Sequence, residues 1–163
     1  IMKIKNKKLN DFKKVLHEGM LENFKNDGYL TPTLFFFKDD QPSIALIPQE
    51  LLSSVEGKNK LADIIKKICK EPTVLAAGII IEAHMTKVLP NTEKLKKLLN
   101  GTVRVSELKE KQDIILMHFS TPVGEEMISY VVDYENKTVG KQMNYDTKGA
   151  VGIFSGFFNW NRN

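Results

Sequence analysis

Val74-Leu-Ala-Ala-Gly78-Ile-Ile-Ile-Glu82-Ala-His84-Met-Thr-Lys-Val88 is the stretch from which the fold is read. Its first half is apolar without alternation, and it is rich in β-branched residues. A strand that is apolar on both sides needs cover on both faces of its sheet. The sequence therefore predicts a central strand over residues 74–88. The run from Val74 to Ala83 is interrupted by Gly78 and Glu82, and spanning a bilayer takes about 20 apolar residues. No membrane segment is predicted.

Upstream, Leu9, Phe12, Val15, Leu16, Met20 and Phe24 recur at helical spacing and predict an amphipathic helix over residues 8–26. Asn26-Asp27-Gly28 ends it, with Gly28 suited to the left-handed conformation. Residues 29–37 are aromatic and β-branched and read as a strand. Lys38-Asp39-Asp40-Gln41 makes a turn, and residues 43–47 return as its partner. Pro42 and Pro48 bracket that return, as befits an edge strand. Leu61, Ile64, Ile65 and Ile68 mark a second helix over residues 58–70, which Glu71-Pro72 closes.

Downstream, residues 89–112 break the pattern. They hold a short helix capped by Asn91 or Thr92, with Leu95, Leu98 and Leu99 on one face, and the charged stretch 107–113. A connection this long reads as a functional or disordered loop. Strands follow at 114–120, 127–134 and 138–144. The predicted fold is α+β, in the order α-β-β-α-β-(long loop)-β-β-β. Its antiparallel or mixed sheet has about five to six strands, with two main helices packed on it. Residues 1–148 form one domain in this reading, and residues 149–163 a glycine- and aromatic-rich tail. That tail reads as a segment docked on its own core, or as one that inserts Phe154, Phe157, Phe158 and Trp160 into a partner or a second copy.

The 163 residues (18.6 kDa) are 42% hydrophobic and 27% charged, an ordinary globular composition. The formal net charge is +4, yet residues 1–14 carry six lysines against Asp11, leaving −1 for the rest. A nucleic-acid-binding face spreads its cations more widely, and only Arg104 and Arg162 are arginines. These facts argue against specific nucleic-acid recognition. The single cysteine, Cys69, excludes a disulfide framework and fits a reducing compartment. No apolar stretch follows the lysine-rich start, so no signal peptide is predicted and the expected location is cytoplasmic.

Chemistry-bearing residues are few. Glu82 and His84 project from one strand face, and His118 lies on the strand after the long loop. Together they form the candidate ligand-binding set, with a pocket beneath residues 89–112. A partly buried histidine bonded to a carboxylate is the commoner origin of such a set, so no metal site is assigned. Ser120 lies near His118 without implying a nucleophile–base geometry, and no Gly-x-Ser-x-Gly elbow is present. Gly57-Lys58 lacks the remaining residues of a phosphate loop, so no cofactor is predicted. Asp39-Asp40 and Glu125-Glu126 fall in predicted turns.

Asp27-Gly28-Tyr29-Leu30-Thr31-Pro32 before a strand, Glu82-Ala83-His84 late in one, and the charged run 109–113 leading into 114–117 form a pattern. It resembles an uncharacterised family of small bacterial and phage proteins. The resemblance spans residues 8–143 and implies no known activity. His84 stands where that family has tryptophan, which implies that an imidazole is not required there and favours Glu82 as the functional residue. The element order also resembles roadblock and profilin-type domains, a five-stranded sheet between helices. Such sheets serve as docking platforms. The expected function is thus a non-enzymatic, self-associating or protein-interaction module. A small-ligand or nucleotide-binding protein, with hydrolysis as a further option, is the alternative.

Overall fold

In the computed structural model, which describes residues 5–145 and 156–158, the chain is α+β. α1 (Lys7–Asp27) is followed by β1 (Thr33–Lys38), β2 (Gln41–Leu46), α2 (Gln49–Leu52), α3 (Val55–Ile68) and β3 (Val74–Met85). Then come α4 (Glu93–Leu99), a 3-10 turn at Val105–Glu107, β4 (Gln112–Thr121), β5 (Gly124–Asp133) and β6 (Thr138–Tyr145). All six strands form one sheet in the order β2-β1-β3-β4-β5-β6, antiparallel throughout.

The local chemistry explains the boundaries. The Asn6 side chain accepts from the Leu9 N–H and caps α1 at its start. Gly28, at φ 79°, donates its N–H to the Phe24 carbonyl and stops the helix. Asp39 and Asp40 both have positive φ, the conformation that a two-residue hairpin requires. Thr92 is the cap of α4. The predicted second helix begins earlier than its apolar spacing indicates, because Ser54 caps α3 by accepting from Gly57 N–H. α2 precedes it and was not legible as a separate turn.

The sheet has two covered faces. On one, Leu9, Phe12, Leu16, Met20 and Phe24 of α1 pack on Phe35, Phe37, Ile80, Ile115, Met117 and Phe119. On the other, Leu61 and Ile65 of α3 meet Val74, Ala77 and Ile79, together with Phe157 and Phe158. β3 is central and covered on both sides, as its composition requires. Among the described residues no helix is long and apolar enough to cross a membrane. The connection at 89–112 lies outside both cores: α4 buries no residue, and its Lys94 pairs with Glu110.

Candidate functional site

The strand register decides what the sequence candidates can do together. Glu82 pairs with Ile115 and His84 with Asp113, on the α1 face. His118 pairs with Ile79, whose side chain belongs to the α3 face. The backbone of the sheet therefore separates His118 from Glu82 and His84, and the three form no common pocket. This corrects the expected grouping. Side-chain direction alternates along a strand, so an offset of one position moves a residue to the opposite face. Among the described residues, no three His, Cys, Asp or Glu side chains are grouped to hold a metal.

Each candidate has a local role. Glu82 Oε1 accepts from the Leu30 N–H at 2.5 Å, and Glu82 Oε2 accepts from the Tyr134 hydroxyl at 3.1 Å. The stretches 27–32 and 82–84 thus meet in one contact: the carboxylate ties the α1–β1 connection to β3 and to the end of β5. His84 Nδ1 lies 2.8 Å from Asp113 Oδ1 as a half-exposed cross-strand pair, of a type worth at most about 1 kcal/mol. His118 is buried beneath Phe157, ring centroids 5.9 Å apart, and its Nε2 is 3.5 Å from Glu125 Oε2 without hydrogen-bond geometry.

The Glu82 contact carries a measurable consequence. Burial, and then the charge of Glu82, raise the Tyr134 phenol above its usual range. The folded state thus favours the neutral phenol. Its contribution is intact below about pH 10, the ordinary tyrosine value, and is lost as pH climbs toward the raised one. A urea midpoint that falls above that pH in the parent, and falls less in Tyr134→Phe, is the expected result. Glu82→Ala strands the Leu30 N–H and is expected to cost about 1–3 kcal/mol. Glu82→Gln keeps an acceptor and should recover most of it. Equal midpoints for Glu82→Ala and the parent would remove the latch.

Nucleophilic chemistry finds no footing among these groups. Ser120 Oγ is buried and forms no hydrogen bond to His118. Burial pushes the Cys69 thiol up to about 12, which keeps it protonated and inert. A cleft of about 310 Å³ lies between α1 and the outer strands, lined by Asn10, Lys13, Lys14, His17, Glu126, Ile128 and Gln142. Several of its polar groups answer one another: Lys13 pairs with Glu126, and Tyr130 Oη lies 2.7 Å from His17 Nε2 and donates to Gln142 Oε1. Burial first, then the Lys13 charge, hold His17 below the usual histidine range. The cleft is a bonded polar seam beside the helix.

The tail residues divide. Phe157 and Phe158 are buried in the chain's own α3-face core, and Gly156 N–H donates to Glu125 Oε1 at 2.7 Å. As partner-binding residues they are corrected: rings that complete this core are withdrawn from the surface. Phe154 and Trp160 lie outside the described residues.

The surface feature that stands out is β2. Every residue of Gln-Pro-Ser-Ile-Ala-Leu is exposed, Ile44 by 60% and Leu46 by 67%, and none is charged. Its position at the end of the strand order leaves one side of its backbone unpaired among the described residues. The prolines at 42 and 48 were the signal in the sequence, and they marked the edge without showing how open it is. No family model matches the chain, and no curated protein or solved structure matches it.

Proposed function

We propose that the protein is an interaction module that binds a protein partner by adding a strand along β2. The observation that carries this reading is an uncharged edge strand, exposed at every residue, with two large aliphatic side chains on one face. Sheet edges are ordinarily blunted by charge, proline or a bulge, because unpaired N–H and C=O groups invite another strand. The opposite edge follows that practice. β6 carries Lys141 beside Gly140, and its pairing with β5 shifts register between Tyr130 and Val132. β2 has only Pro42, near its start. Strand addition takes its affinity from main-chain hydrogen bonds and its selectivity from side chains on alternate positions.

Ile44→Lys tests the reading. Ile44 is mostly exposed, so the variant is expected to unfold at the parent's midpoint while its association weakens by roughly tenfold or more, equivalent to about 1.4 kcal/mol. The readouts are mass in solution by light scattering and binding to a purified partner. Lys141→Ala on the β6 edge serves as the control and should behave as the parent. Association unchanged in Ile44→Lys would overturn the proposal.

A further inference from the structure

We infer that the strand added to β2 is β2 of a second copy of this chain, related by a two-fold axis through Ala45. The inference rests on the strand-addition reading and names its partner. The Ile47 N–H donates to the Pro32 carbonyl, which makes residues 32 and 47 a hydrogen-bonded pair. Counting back along the register, Ala45 and Ser43 also bond to β1, whereas Ile44 and Leu46 turn their N–H and C=O groups to the open side. In an antiparallel two-fold pairing centred on Ala45, Ile44 stands opposite the partner copy's Leu46. Both such pairs then exchange N–H···O bonds in each direction, so no outward donor of Ile44 or Leu46 is left over.

The prolines agree with this register. The same two-fold sets Pro42 opposite Pro48 of the second copy; neither has an N–H to give, and the Pro48 carbonyl already accepts from the Leu51 N–H. The ladder ends there, and the acidic Asp39, Asp40 and Glu50 lie beyond it. A two-fold also places a strand against its own sequence, so a charged edge would repel itself, like charges opposite one another being unfavourable. β2 has no charge to oppose. Its side chains match as well: Ile44 and Leu46 meet as aliphatic pairs on the α1 side, and Ala45 meets Ala45 at the close-approach position on the other. A centre at Ile44 instead would set the Leu46 carbonyl against Pro42, which has no N–H to give.

Sedimentation of the full chain across a dilution series, with oxidative cross-linking, tests this. The parent should reach twice the 18.6 kDa chain mass, and Ile44→Lys should stay at the monomer mass. Antiparallel positions that are not hydrogen-bonded bring Cα atoms to about 4.5 Å, inside the disulfide range. Ala45→Cys should therefore oxidise to a covalent dimer. Ser43→Cys, on the same exposed face but opposite position 47, should not. Cys69, fully buried, stays out of the reaction. Equal cross-linking at 43 and 45 would overturn the register. A parent that stays monomeric, while Ile44→Lys still loses a different purified partner, would overturn the second copy and leave strand addition standing. A monomer that binds nothing through β2 would overturn both.

Discussion

Phe157→Ala is expected to lower stability by about 3–5 kcal/mol, the usual cost of emptying a buried aromatic site. The ring is 0% exposed and sits among Leu61, Ile65, Cys69 and Ile79. It also stacks on His118, whose Nε2 has no hydrogen-bond partner among the described residues. The ring therefore covers a buried imidazole as well as filling space, and its loss opens that polar group to water. Phe158, 2% exposed, should cost a similar amount. Urea unfolding followed by circular dichroism reads the effect. A midpoint within error of the parent would show that the tail is dispensable to the core. The same reasoning limits what a tail deletion can reveal. Ending the chain before Gly156 removes two core aromatics at once, so lost association in such a protein would report damage to the α3 face. Single changes at β2 keep both cores intact and isolate the edge.

Local structure was legible where a boundary has a chemical marker within a few residues, and less so at α2 and at Glu125-Glu126, which lie in β5 rather than in a turn. The Leu9-to-Phe24 spacing, Gly28 as the stop, the Asp39-Asp40 turn and Thr92 as a cap all lie in the sequence and recur in the structure. The α+β class followed from the order of helices and strands, and the central place of β3 from the apolar first half of residues 74–88. The candidate site was less legible. Glu82 and His84 share a face by spacing alone, since both lie on one strand. His118 lies on another strand, and its face depends on how β4 registers with β3, which only the pairing of Ile79 with His118 shows. The partners of Glu82 lie 52 residues away on either side, at Leu30 and Tyr134, and no periodicity links them. The tail was hard to assign for a different reason: its glycines weaken every regular reading. Whether its aromatics bind themselves or a partner depends on the free space left on the α3 face.

Gly78→Ala is expected to be among the most damaging single-methyl changes at the described residues, costing about 3 kcal/mol or more. A Cβ at this position would stand 1.9 Å from the His118 carbonyl oxygen and 2.5 Å from the Phe35 ring. The oxygen belongs to the neighbouring strand, so relief requires β4 to move away from β3. The register shows what the missing side chain permits. Phe35 on β1 and Phe119 on β4 flank Gly78 in one row across the sheet, yet their rings stack at 5.5 Å between centroids. They meet over the empty position of the strand between them. Phe12 of α1 then closes on Phe35 edge-on at 6.0 Å. Alanine would part the stacked rings, lift the helix contact and strain the central ladder together. Gly19 supplies the comparison, since a Cβ there meets nothing within 4 Å inside a long helix. Gly19→Ala should raise stability by about 0.5–1 kcal/mol through helix propensity. Opposite signs for the same chemical change, read in one set of urea curves, are the expected outcome. A tolerated Gly78→Ala would mean that the Phe35–Phe119 stack does not depend on the gap, and that β3 can yield where its neighbours now pin it.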